Sequence, residues 1–120
     1  MLPVFGLLHN RHLLVNPDLT LSLSQSELVH FVRPSADLLF ESVAASTKER
    51  AVAVVLSGTG SDGAMGVRAI KKMRGTVIAQ DESSSEFFGM PSAAIHTACV
   101  DFVLPLAEIA SALVTLVKGE

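Results

Sequence analysis

The 120-residue chain holds a single cysteine, Cys99. A lone thiol excludes an internal disulfide framework and a self-contained cysteine-rich metal site. Positive charge is not in excess either: nine Lys plus Arg stand against twelve Asp plus Glu, a formal net charge of -3. Without a basic footprint there is nothing to attract nucleic acid or an anionic membrane surface. Apolar runs such as residues 2–8 and 51–56 fall far short of the roughly 18 residues of a spanning helix. The first of them lacks the basic n-region and small-residue cleavage site of a signal peptide. A cytoplasmic protein with no membrane insertion is therefore expected. Repeats, low-complexity tracts and linkers are missing too, which points to one domain over residues 1–120.

What the chain does have is apolar surface. Hydrophobic residues make up 49% of it and charged ones 18%, with a mean hydropathy of +0.47. This composition excludes intrinsic disorder.

The first thirty residues read as β. Residues 3–8 are apolar, 12–15 form a second short run, and Asn16-Pro17-Asp18 is a turn cluster. Leu19, Leu21 and Leu23 alternate with Thr20, Ser22 and Ser24, the period of a half-buried strand. A hairpin over 12–23 follows. From Ser35 the period becomes helical, with Ser35 as the cap and Leu38, Leu39, Val43 and Ala44 as the apolar stripe.

Residues 51–56 then form a continuous apolar run, as in a strand covered on both faces. A glycine-rich turn leads into a helix over 64–73, which Gly75 should close. Strand 76–79, a helix with Pro91 in its first turn, strand 100–104 and a terminal helix over 106–117 complete the order. Such alternation predicts an α/β fold: a doubly wound, mostly parallel sheet with right-handed crossovers and an N-terminal β-hairpin. Strand 51–56 is expected at its centre.

The glycine turn carries the most information. Gly58, Gly60 and Gly63 form G-x-G-x-x-G between strand and helix, and Asp81 ends the next strand where a ribose-binding acid would sit. Read alone, that is a nucleotide-binding module. Against it, Asp62 places a carboxylate where a pyrophosphate would meet the helix N-terminus. The same carboxylate, at the carboxyl edge of an open α/β sheet, could orient a catalytic imidazole. The chain offers four histidines: His9, His12, His30 and His96.

Four ordered segments together closely resemble the CheB-type protein-glutamate methylesterase catalytic domain. They are Asn10-Arg11-His12-Leu13-Leu14-Val15, Arg33-Pro34-Ser35-Ala36-Asp37-Leu38-Leu39-Phe40, Val54-Val55-Leu56-Ser57-Gly58-Thr59-Gly60-Ser61-Asp62-Gly63-Ala64 and Phe88-Gly89-Met90-Pro91. The resemblance runs from about residue 10 to 117. It implies a serine hydrolase that demethylates glutamate methyl esters on chemoreceptor cytoplasmic helices and in some members deamidates receptor glutamines. No cofactor and no metal are expected. The resemblance places the triad histidine on His12 and the triad aspartate on Asp62, with His12 as general base and then general acid. Gly58, Thr59, Gly60 and Gly63 would form the loop around the oxyanion. Thr59 stands where the family usually has methionine.

The family's nucleophile lies in an Ala-Ser-Thr-Gly-Gly-like turn upstream of the histidine. Nothing before His12 resembles that turn, and residues 1–8 contain no serine. The sequence thus predicts a partial domain, incomplete relative to the family's and without its frequent receiver domain, which could serve as a partner. A truncated or inactive form, or a non-catalytic remnant that only binds a partner, remains open beside the enzyme.

Overall fold

The computed structural model describes residues 10–25, 28 and 34–119. Its N-terminal hairpin pairs β1 (His12–Val15) with β2 (Leu21–Ser24), antiparallel, with His12 opposite Ser24 and Val15 opposite Leu21. The predicted turn closes it. Asn16 N donates to Thr20 O and Leu19 N to Asn16 O, both at 2.8 Å, and Asp18 Oδ1 accepts from the Thr20 amide at 3.0 Å. The hairpin docks on the first helix, α1 (Ala36–Thr47): Val15 N donates to Ser42 Oγ at 2.9 Å, and Ser46 Oγ donates to Val15 O at 3.0 Å. Serines on the inner face of α1 thereby satisfy a strand edge that would otherwise lack partners.

A short 3-10 turn (Lys48–Arg50) leads into the parallel sheet of β3 (Val52–Val55), β4 (Thr76–Gln80) and β5 (Phe102–Leu104), in the order β3-β4-β5. Between them run α2 (Ala64–Lys72) and α3 (Gly89–His96), and α4 (Leu106–Lys118) follows. The alternation and the helix spans match the sequence reading closely.

The strand order does not. Among the described residues β4 is central, and β3, expected there, has one partner. Burial shows the difference. Val77, Ile78 and Ala79 are fully buried, whereas β3 buries only Ala53 and Val55 and leaves Val52 and Val54 half-exposed. An apolar run identifies a strand but not how many neighbours it has.

The core lies between the sheet and α1 to α3, built from Ala44, Val55, Val67, Ile70, Val77 and Ala94. Gly66 lets α1 and α2 approach closely: an added Cβ would meet Phe40 Cβ at 2.7 Å. The end of α2 departs from expectation. Gly75 donates to Ile70 O and Arg74 to Lys71 O, but the left-handed residue is Arg74, with φ of 69°. Gly75 is required for room instead, since a Cβ there would lie 2.8 Å from Ala51 O. Among the described residues no helix is long and apolar enough to cross a membrane.

Candidate active site

The glycine loop leaves the carboxyl end of β3 and is held by the segment that opens α3. Gly58 N donates to Phe87 O at 2.8 Å, and Met90 N donates to Gly58 O at 2.9 Å. Ser57 Oγ donates to Phe87 O and accepts from Phe87 N, while Ser57 N donates to the buried Gln80 Oε1 at 2.8 Å. Gly89 lies so close that a Cβ would sit 3.0 Å from Gly60 O. The Phe88-Gly89-Met90-Pro91 segment therefore acts as the backing of the loop, a relation its distance in sequence hides.

Two aspartates lock the other side of the loop. Asp62 sends both carboxylate oxygens to the start of α1: Oδ1 accepts from Ser35 Oγ at 3.0 Å and Asp37 N at 3.1 Å, and Oδ2 from Ala36 N at 2.7 Å. Asp37, in the first turn of α1, reaches back. Its Oδ1 accepts from Gly63 N at 3.0 Å and Gly66 N at 2.7 Å, at the start of α2. Asp37, in the first turn of α1, thus caps the start of α2, and Asp62, in the loop just before α2, caps the start of α1.

The arrangement suits both acids, because helix N-termini present unpaired amides and a positive dipole end. It also has a cost. Burial, together with the Asp62 charge, pushes the Asp37 carboxyl above its ordinary 3.8, and the two amide bonds only partly offset this. Sequence pattern alone does not single out Asp37 as a site residue. Its only signal is its position two residues after a helix cap.

The sequence predicts that Ser35 caps α1 with its own side chain. It makes no such bond, because its hydroxyl is given to Asp62. Its amide goes elsewhere, to His12 Nδ1 at 3.1 Å. His12 and Asp62 are thus brought to the same residue, and His12 is fully buried. The bonds that the described residues give the Asp62 carboxylate come from Ser35, Ala36 and Asp37, so the imidazole reaches the carboxylate through Ser35. A ring nitrogen that accepts an N–H carries no proton, so a neutral His12 carries its proton on Nε2. His96 is exposed on α3 and bonded to Ser92 O, away from this cluster. His9 and His30 lie outside the described residues.

Of the four loop residues, two have their amides committed: Gly58 N to Phe87 and Gly63 N to Asp37. Thr59 and Gly60 are exposed, and their amides take part in none of the hydrogen bonds among the described residues. Gly60 and Gly63 adopt φ of 86° and 100°, a region that side chains disfavour. Two amides at the start of α2, Gly63 N and Gly66 N, where a pyrophosphate would bind, are taken by the Asp37 carboxylate. Asp81 is likewise engaged, accepting from Ser84 N at 3.1 Å, from Ser84 Oγ at 2.6 Å and from Ser83 Oγ at 3.3 Å. Gly63 N, Gly66 N and the Asp81 carboxylate, which the nucleotide reading would use, are thus already hydrogen-bonded within the chain. Among the described residues no three His, Cys, Asp or Glu side chains gather as a metal would require.

The family model described as CheB methylesterase matches residues 7–113. The chain belongs to the CheB methylesterase family. It is 46% identical over 103 residues to a protein-glutamate methylesterase/protein-glutamine glutaminase of Halobacterium salinarum, a match covering 86% of this chain and 30% of that protein. The protein of the same name from Moorella thermoacetica is 47% identical over 96 residues, covering 80% of this chain and 23% of the relative. The crystal structure of the Thermotoga maritima CheB methylesterase catalytic domain superposes with a TM-score of 0.84 at 33% identity, over 89% of this chain and 58% of that one. The fold is that of the CheB catalytic domain, and this chain spans only part of the length of each relative.

Proposed function

We propose that this chain is the Asp62-bearing portion of a cytoplasmic protein-glutamate methylesterase. Its substrates would be glutamate methyl esters on chemoreceptor cytoplasmic helices, with glutamine deamidation as a related activity. The supporting observation is the Asp62 carboxylate, fixed by three donors beside a glycine loop at the carboxyl edge of a parallel sheet. Open α/β folds place their chemistry at this edge.

In the proposed reaction a serine hydroxyl attacks the ester carbonyl, methanol leaves, and water hydrolyses the acyl-enzyme. The serine belongs to the part of the family domain that this chain does not span. Asp62 orients the catalytic base, and the Thr59 and Gly60 amides donate to the developing oxyanion. The general-base role that the resemblance gives His12 requires Nδ1–H to face a carboxylate, whereas Nδ1 here accepts from Ser35.

The test is methanol release from a methylated receptor, by the chain alone and by the chain complemented with the upstream segment of the Thermotoga maritima domain. The complemented protein is expected to turn over, with Asp62→Asn reduced by about 10⁴-fold. The chain alone is expected to be inactive. Enzyme-like turnover by the chain alone would show that one of its own serines is the nucleophile. An unchanged Asp62→Asn would remove Asp62 from the site.

A further inference from the structure

Resting on that reading of Asp62, we propose that His12 is a positioning residue, locked as the Nε2–H tautomer and acting on Asp62 through Ser35. The start of α1 presents unpaired amides in sequence, and they are divided between two side chains. Ser35 N goes to His12 Nδ1, and Ala36 N and Asp37 N go to Asp62. The Ser35 hydroxyl adds a third bond to the carboxylate. His12 and Ser35 are fully or almost fully buried, at 0% and 2% exposure, so water does not readily replace either partner.

The imidazole therefore fixes the amide plane of Ser35, and Ser35 in turn aims its hydroxyl at Asp62. One lone pair cannot accept the Ser35 amide and also carry the proton a triad histidine gives its aspartate. The two roles are mutually exclusive in a single conformation. Strand β1 contributes by holding His12 at its first position, opposite Ser24, where the ring faces the helix start.

Nitrogen-15 NMR of the labelled chain reads the tautomer directly. Its imidazole correlations, assigned by loss of a spin system in His12→Asn, should show an unprotonated Nδ1 and a protonated Nε2. A protonated Nδ1 overturns the proposal, whatever the activity of any variant. Kinetics of the complemented enzyme supply the second readout. Asparagine places an acceptor near the Nδ1 position, so His12→Asn should keep kcat within about tenfold, while His12→Ala loses about 10- to 100-fold in kcat with KM little changed. Loss of more than about 10³-fold in both variants would instead mark His12 as the base. Were the complemented wild type inactive, the methylesterase reading would fail while the NMR result still decided the tautomer.

Discussion

Removing the Asp37 side chain should destabilise the chain far more than removing its charge. Asp37 is 3% exposed, and its Oδ1 holds two amides at the start of α2, at 3.0 and 2.7 Å. Bonds to a charged acceptor contribute about 1.5–3 kcal/mol each. Gly63 and Gly66 are themselves buried, so Asp37→Ala leaves both donors without ready access to water. Part of this is offset, because alanine also relieves the desolvation of the carboxylate and its repulsion by Asp62. The net loss should be about 2–4 kcal/mol. Asp37→Asn keeps the acceptor oxygen and removes the repulsion, so its loss should be about 1 kcal/mol or less.

Urea unfolding followed by far-UV circular dichroism suits a chain with no Trp or Tyr. At slopes of about 1–3 kcal/mol/M the alanine midpoint should fall by roughly 0.7–4 M. Equal losses in the two variants, or a loss below about 1 kcal/mol for alanine, would refute the capping argument. The pH dependence has a definite sign. The folded Asp37 carboxyl titrates above 3.8, so the native state binds the extra proton in the window between that value and the raised one. Stability must fall as pH rises through that window. Wild type should therefore gain on Asp37→Asn as the solution is acidified across it.

Gly89→Ala would push a Cβ to within 3.0–3.2 Å of the Gly58 and Gly60 backbone. A loss of about 1–3 kcal/mol in thermal unfolding is expected, together with reduced turnover in the complemented enzyme. Arg74→Gly relieves a left-handed backbone at φ of 69° and should raise stability by about 1 kcal/mol; a lower urea midpoint would contradict this. Hydrogen bonds from the Ser84 side chain and amide and from Ser83 hold Asp81 below its ordinary 3.8. Its contribution is present above that value and is lost as pH falls through the lowered one, so acid titration of Asp81→Asn should show a smaller decline than wild type.

The sequence by itself determined the elements that local pattern controls. Alternating leucines and an Asn-Pro-Asp turn specified the hairpin, and apolar runs separated by glycine turns specified the β/α order. The segment of residues 54–64, taken with three other motifs, specified the family. Asp62 stood out as a candidate because a carboxylate inside a glycine loop is chemically out of place for phosphate.

What only the tertiary structure decided depends on pairs distant in sequence. Ser35 satisfied every local rule for a cap, yet α1 is capped by Asp62, 27 residues away, because a carboxylate offers two oxygens and a full charge where a hydroxyl offers one dipole. Asp37 looked like an ordinary acid in a helix first turn until folding set it against Gly63 and Gly66. Among the described residues the centre of the sheet falls on β4, because neighbours, not hydrophobicity, define centrality. The hydrogen bond to His12 Nδ1 is of the same kind: composition supplies the imidazole, but only the packing of β1 against α1 selects which of its nitrogens keeps the proton.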